Sequence, residues 1–268
     1  MNIESVVLKA NELILEVGKF ISLQQEKISQ DIVETKSSNS FVTYVDTTAE
    51  KMLVEGLQKI LPGSGFLTEE NTTDKISGDY IWIIDPLDGT TNFIHKLPPY
   101  AISVGLSHFG KMIAGIIYVV TSKELFYTWE GANSYLNNEK IFVTQTVLVK
   151  DSLIATGFPY YDYHKMAAFL NTMDYFMRNS HGLRRLGSAA TDLAYLACGR
   201  FEAFYEYSLN PWDVAAGAII VENAGGKVSD FSGGDNYIFG KEIIASNTLI
   251  HNEFSSVIEN LMIKNLKH

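Results

Sequence analysis

Cysteine is almost absent. One thiol, Cys198, in 268 residues excludes an intramolecular disulfide framework and fits a reducing compartment. Proline is sparse, at six residues, and no stretch is rich in Pro, Gly or Ser, so collagen-like and low-complexity readings fall away. No apolar run approaches the ~20 residues of a membrane-spanning helix; the longest is Met112 to Val120. Met1 to Phe20 carries Glu4, Lys9, Glu12 and Glu16, which leaves no uninterrupted signal core. Basic residues are outnumbered, 21 Lys and Arg against 31 Asp and Glu, for a formal charge of −10. With no Lys/Arg-rich run, that balance argues against a nucleic acid or an anionic membrane as partner. Several catalytic signatures are missing too: no HxH or HExxH pair, no Gly-x-Ser-x-Gly elbow, no Walker A, no dinucleotide fingerprint. What remains is an acidic chain, expected to be soluble and cytoplasmic, with 46% hydrophobic residues to build a sizeable core.

Ile3, Val6, Val7, Ala10, Leu13, Ile14, Val17 and Phe20 recur three or four apart and predict a helix from Ile3 to Ile28. Phe41 to Val45 reads as a short strand. A second helix is expected from about Thr47 to Leu61, with Thr47 and Glu50 at capping-box spacing and Pro62-Gly63 as the stop. Tyr80 to Ile84 is a compact apolar strand ending at Asp85-Pro86. Alternating segments from Ala101 to Val143, with turns near Gly110, Gly131 and Asn137-Asn138, predict an antiparallel meander.

The texture changes near Val149. Helices are expected from His164 to Met177, Ser188 to Cys198, Pro211 to Asn223 and Leu249 to Leu266. Strands are expected from Phe201 to Tyr205, Gly226 to Ser229 and Glu242 to Ala245. The boundary divides the chain into an N-terminal α+β lobe, 1–147, and a C-terminal α/β lobe, 148–268. No linker composition marks it, so the lobes should share an interface. No internal repeat is present.

The densest chemistry lies in Asp85-Pro86-Leu87-Asp88-Gly89-Thr90-Thr91, directly after the YIWII strand. Asp-Gly is a common turn pair and either threonine could cap a helix. Yet two carboxylates at one strand end repel unless a cation lies between them, and amides near Gly89 and Thr90 would point at an anion. Glu69-Glu70 follows a possible strand; alone, it reads as a solvated loop. Asp213 lies in Asn210-Pro211-Trp212-Asp213, where a first-turn carboxylate also suits a helix start. Together, Glu69, Asp85, Asp88 and Asp213, with a carbonyl from the Pro86-Leu87 turn, make the all-oxygen donor set that Mg²⁺ favours. His95 reads as a structural neighbour of the motif and Cys198 as inert core.

These residues also carry a resemblance. Trp82 to Phe93 (WIIDPLDGTTNF) and Trp212 to Gly226 (WDVAAGAIIVENAGG) resemble the two signatures of the inositol monophosphatase family, lithium-sensitive, Mg²⁺-dependent sugar phosphatases. Phe66 to Asn71, Phe41 to Asp46 and Gly182 to Glu206 match in the expected order. One departure is visible: Ser40 stands where members often carry Asp, and the loop after Lys36 is slightly short. It touches no predicted metal ligand.

The resemblance implies a layered αβαβα sandwich, with an antiparallel sheet in the first lobe and a mixed sheet in the second. It implies Glu69, Asp85 and the Leu87 carbonyl around a first Mg²⁺, and Asp85, Asp88 and Asp213 around a second. A third ion would lean on Glu69 and waters. Asp46 and Thr90 would orient the attacking water, although Asp46 also suits a helix N-cap. Gly89, Thr90 and Thr91 would cradle phosphate, beside Asp88 and Asp213. The Ala190 backbone and Glu206 would meet substrate hydroxyls; Glu206 reads equally as a solvent-facing strand residue.

The implied reaction is hydrolysis of myo-inositol 1-phosphate-type monophosphates by in-line attack of water, inhibited by Li⁺. The 2′-phosphate of NADP, fructose 1,6-bisphosphate and 3′-phosphoadenosine 5′-phosphate are alternative substrates. A regulatory protein-binding member of the same fold and a carboxylate-rich structural cation binder are alternatives of other classes. The family is usually dimeric, and Leu183 to Leu186 offers an interface, unless Arg184 and Arg185 simply face solvent.

Overall fold

The computed structural model describes residues 2–27, 37–73, 77–159 and 162–264, with backbone alone for 37–43. Lys36 lies outside the described residues. Helix α1 (Ile3–Glu26) starts at Asn2, whose side chain accepts the Ser5 N–H at 3.2 Å. Its buried stripe runs through Val6, Val7, Ala10, Ile14, Val17 and Ile21, the 3.6-residue period read from the sequence.

Helix α2 spans Ser37–Ile60, so the strand expected at Phe41 to Val45 is helix instead. Val45, Ala49, Leu53 and Leu57 are all fully buried, four residues apart. Helix propensity disfavours Val and Thr by at most ~0.7 kcal/mol each, less than the ~1.5–3 kcal/mol from burying one Val or Leu. The capping box disappears with the strand. Thr47 Oγ1 donates back to the Tyr44 carbonyl at 3.4 Å, and Glu50 reaches outward from the helix.

A seven-stranded sheet follows in chain order: β1 (Gly65–Thr68), β2 (Tyr80–Asp88), β3 (Ala101–His108), β4 (Lys111–Val119), β5 (Glu124–Trp129), β6 (Ser134–Leu136) and β7 (Glu139–Ile141). The meander from β2 to β7 is antiparallel as expected, but β1 pairs parallel to β2, Gly65 opposite Ile81 through Thr68 opposite Ile84. No tight hairpin joins these two strands, so nothing forces them antiparallel. The short helix α3 (Thr90–Ile94) leaves the end of β2.

The remaining elements are β8 (Leu153–Thr156), α4 (Met166–Asn179), β9 (Gly182–Arg184), α5 (Ala189–Ala197), β10 (Ala203–Tyr207), α6 (Pro211–Asn223), β11 (Gly226–Ser229), β12 (Glu242–Asn247) and α7 (His251–Met262). Their sheet runs β11-β12-β10-β8-β9 and is mixed: β8 is parallel to both β9 and β10, while β12 is antiparallel to β10 and β11. The short strands β8 and β9 carry too little alternation to be read from sequence.

The layers are α1 and α2, the first sheet, α5 and α6, the second sheet, then α4 and α7. The αβαβα sandwich therefore holds. Helix α6 buries every residue from Val214 to Val221, as a helix between two sheets must. Its backbone lies so close to β4 that a Cβ on Gly115 would sit 2.4 Å from the Ala216 carbonyl oxygen. This packing delivers the start of α6 to the end of β2. Ser103, the β3 partner of Asp85, donates its hydroxyl to the Trp212 carbonyl at 3.0 Å, one residue before Asp213.

Candidate active site

In an unbroken strand, residues three apart face opposite sides of the sheet. Asp85 and Asp88 escape this because β2 is bulged: Asp85 pairs with Ser103 and Asp88 with Ala101, three steps against two. The extra residue turns both carboxylates toward one cavity, a known use of bulges. Asp85 Oδ1 accepts the Leu87 N–H at 2.8 Å, and Thr90 Oγ1 donates to the Leu87 carbonyl at 3.0 Å. Gly89 takes φ +90°, and a Cβ there would meet the Pro99 and Gly187 carbonyl oxygens at 3.1 and 3.2 Å. Both conformation and space demand glycine.

Asp88 reaches across to α5, where its Oδ2 accepts the Ser188 hydroxyl and, at 2.8 Å, the Ala190 N–H. The backbone group expected to meet substrate hydroxyls is thus donated to Asp88. Asn92 Nδ2 donates to the carbonyls of Pro99 at 2.7 Å and Leu186 at 2.8 Å, tying the motif to the second sheet's side of the cavity. Asp213 Oδ2 accepts the Asn210 N–H at 2.7 Å. It stabilises its own helix start and lines the cavity at once.

That cavity, about 230 Å³, is walled by Glu69, Asp85, Asp88, Asp192, Glu206 and Asp213, with Leu87, Gly89, Thr90 and Thr91. The elements brought together come from both sheets. Among the described residues, Arg185 is the only basic one on the wall. Glu206 is 7% exposed, so the solvent-facing alternative does not hold. Glu69 is half-buried and belongs to the cavity wall, not to a solvated loop. Asp46 and Ala190 are not on the wall. Asp46 lies buried near Glu69, Glu70 and Glu50, and its Oδ1 has no hydrogen-bond partner among the described residues. His95 is exposed and away from the cavity. Cys198 is half-buried, its thiol donating to the Tyr195 carbonyl and its pKa pushed up by burial.

Burial and crowding raise these acids together. Asp46 is pushed up to about 8, first by burial and then by Glu70, Glu69 and Glu50. Burial lifts Glu69 to about 7 against a hydrogen bond with Asp85 that lowers it. Asp88 reaches only about 6, because Ser188 and the amides of Ala190, Ala189 and Gly89 offset its burial. Asp85 stands well above the carboxylate range through burial, then Glu69, Asp88 and Asp213. Asp213, Glu206 and Asp192 are raised chiefly by burial as well.

Such a set must hold protons or a cation. Among the described residues, no three of these side chains converge on one ligating point; Glu69 and Asp85 instead hydrogen-bond each other, which takes a proton between two carboxylates. The donors themselves, all oxygen and mutually repulsive, fit a hard divalent cation in that proton's place.

Sequence reasoning missed Asp192, Ser188, Asn92 and Glu50. The one available signal for Asp192 was an acid inside the otherwise apolar Ala189–Ala197 helix, where it is 1% exposed. Arg185, considered for an interface, is half-buried with its guanidinium carbon 5.2 Å from the Phe158 ring centroid. Arg184 is exposed on the edge strand β9.

Comparison with known proteins gives the family and the fold. A sequence model of the inositol monophosphatase family matches residues 2–263. The putative Nus factor SuhB of Neisseria meningitidis serogroup B is 39% identical over 84% of this chain and 87% of its own. The fructose-1,6-bisphosphatase/inositol-1-monophosphatase of Thermotoga maritima is 36% identical over 94% of each chain. The crystal structure of the extragenic suppressor protein suhB from Bartonella henselae superposes with a TM-score of 0.85, at 34% identity, over 95% of this chain and 98% of its own.

Proposed function

Because the chain belongs to the inositol monophosphatase family, a family of phosphatases, we propose that it is a Mg²⁺-dependent phosphomonoesterase acting on inositol monophosphates of the myo-inositol 1-phosphate type. The observation that carries this reading is the gathering of Glu69, Asp85, Asp88 and Asp213 on one cavity beside Gly89, Thr90 and Thr91. A structural cation site would have no use for the phosphate-sized space next to them.

Glu69, Asp85 and the Leu87 carbonyl would hold a first Mg²⁺; Asp85, Asp88 and Asp213 a second; Glu69 a third, weaker ion. Bound there, the ions would neutralise the phosphate dianion, acidify a water and stabilise the departing alkoxide. Gly89, Thr90 and Thr91 bind the phosphate. Thr90, its hydroxyl held on the Leu87 carbonyl, orients the attacking water with Asp46. Asp88 and Asp213 border the bridging oxygen. Glu206 faces the alcohol, where a buried carboxylate accepts hydrogen bonds from hydroxyls, and Ala190 acts one step back, its N–H holding Asp88. In-line attack by a metal-activated water is the course this donor set supports.

A phosphate-release assay over inositol 1-phosphate, fructose 1,6-bisphosphate, NADP and 3′-phosphoadenosine 5′-phosphate tests this. The expected result is the highest kcat/KM on inositol 1-phosphate, dependence on Mg²⁺ and inhibition by Li⁺. Release without Mg²⁺, or none on any substrate, would sink the reading. The bisphosphatase reading draws on the name of the Thermotoga relative, and a regulatory role on that of the Neisseria one; the retained carboxylate set favours catalysis. We also read the chain as a cytoplasmic homodimer joined through the segment around Leu183 to Leu186. Sedimentation at micromolar concentration should give twice the 29.9 kDa chain mass, and a particle of single mass would refute it.

A further inference from the structure

Glu50 is completely buried and lies on α2 one turn after Asp46, yet nothing in the reaction above uses it. Both its oxygens are engaged. Oε2 accepts the Glu70 N–H at 2.8 Å and Oε1 accepts the Thr72 N–H at 2.8 Å. A buried carboxylate is costly unless its lone pairs are filled, and two charge-assisted backbone bonds fill them. With both oxygens occupied, Glu50 is not available as a metal ligand.

The segment it holds is the one that carries Glu69. On the opposite side, the Glu69 N–H donates to the Ile84 carbonyl of β2 at 3.3 Å. Asn71, at φ +53°, folds the loop back and donates its side-chain amide to the Glu69 carbonyl at 3.1 Å. The Glu69 backbone is therefore strung between β2, which carries Asp85, and α2, which carries Asp46.

We infer that Glu50 is a positioning residue: its carboxylate clamps the Glu70 and Thr72 amides and so fixes the reach of Glu69 toward Asp85 and the divalent cation. The inference rests on the reading of Glu69 as a metal ligand. It separates two effects of one side chain. Glu50 is a negative charge near the centre, and it is a two-point clamp. Glu50→Gln loses the charge and sets an NH₂ against one of the two amides, donor against donor. Glu50→Asp keeps the charge but is one methylene shorter and cannot span both amides.

The test uses the whole chain in both variants. Hydrogen exchange reads the Glu70 and Thr72 amides, calorimetric titration reads Mg²⁺ binding, and phosphate release is followed against Mg²⁺ concentration. The expected result in both variants is faster exchange at one or both amides and Mg²⁺ binding weaker by about 10–100-fold, the usual cost of losing an outer-shell partner. Saturating Mg²⁺ should restore kcat, with the substrate KM unchanged; a merely structural role would lower the melting temperature without this pattern. Amides freed with Mg²⁺ affinity intact would overturn the clamp. So would weakened Mg²⁺ binding with both amides still protected, since charge alone would then be acting. If neither property changes, Glu50 positions nothing. Wild-type protein that binds no Mg²⁺ would refute the ligand reading of Glu69 itself, a different failure from any shown by the variants.

Discussion

Asp85→Asn is expected to lower phosphate release at least about a hundredfold and, in metal-free protein near pH 8, to raise the melting temperature. Asp85 is 2% exposed and is the one carboxylate whose pKa is raised by Glu69, Asp88 and Asp213 alike, so it sits at the middle of the set. Losing a residue that only orients a metal ligand costs about 10–100-fold; losing a ligand shared by two ions, the role proposed for Asp85, should cost more. Asparagine keeps an Oδ1 to accept the Leu87 N–H, so the bulge should survive and the loss is one of charge. In the metal-free fold that charge is a liability, because burial and three neighbouring acids already push the carboxyl to its neutral form. Asp46→Asn gives the contrast. It should slow turnover by about 10²–10⁴-fold, the worth of a positioned base, while sparing Mg²⁺ affinity. Calorimetric Mg²⁺ titration, turnover and melting curves on both variants check this. Wild-type turnover in Asp85→Asn would remove it from the metal site, and lower stability at pH 8 would contradict the repulsion argument.

The parts of this site that were legible in the sequence are those encoded locally. Asn210-Pro211 starts α6 and puts Asp213 in its first turn, and the helix ends where expected, at Asn223. Asp85, Asp88 and Gly89 could be read as a unit because a strand, a turn and a helix start are compressed into a few residues. What was not legible depends on partners far along the chain. The bulge that brings Asp85 and Asp88 to one side is a matter of register against Ser103 and Ala101, which no local pattern reports. Phe41 to Val45 follows β propensity until α2 packs on the first sheet and burial overrides it. Glu50 and Asp192 are acids on helices like many others, and only their burial, 0% and 1% exposed, separates them from solvated ones. Arg185 differs from its neighbour Arg184 only by which way the end of β9 turns.

Metal-free protein is expected to lose stability as pH rises from 6.5 to 8 and to regain it when Mg²⁺ is added. The sign follows from where the protons sit. Asp46 titrates at about 8 in the fold against 3.8 when free, and Glu69 at about 7 against 4.5. Across that interval the folded chain binds more protons than the unfolded one, so its stability is greatest below the unfolded values and drains away as pH climbs through the folded ones. Below pH 6.5 a second group intervenes. His251 is buried between the Ser229 and Ser246 hydroxyls and its pKa is lowered to about 4, by burial first and Lys227 second. It adds stability above pH 6.5 that is lost on acidification toward 4, opposite in sense to the acids. Between 6.5 and 8 its remaining contribution, about 0.4 kcal/mol of opposite sign, is the smaller one. One fully released proton changes stability by about 1.4 kcal/mol per pH unit, so Asp46 and Glu69 together should cost about 2 kcal/mol, several degrees of melting temperature at ~2–4 °C per kcal/mol for a chain of this size. Mg²⁺ bound by the folded state alone would return about 2.7 kcal/mol at a hundred times its Kd, and more at pH 8 than at 6.5, where it must first displace protons. Melting curves at both pH values, in chelator and in Mg²⁺, decide the matter. A metal-free melting temperature that stays level or rises over this interval would mean that the acids are already ionised and that nothing in the fold waits for a cation.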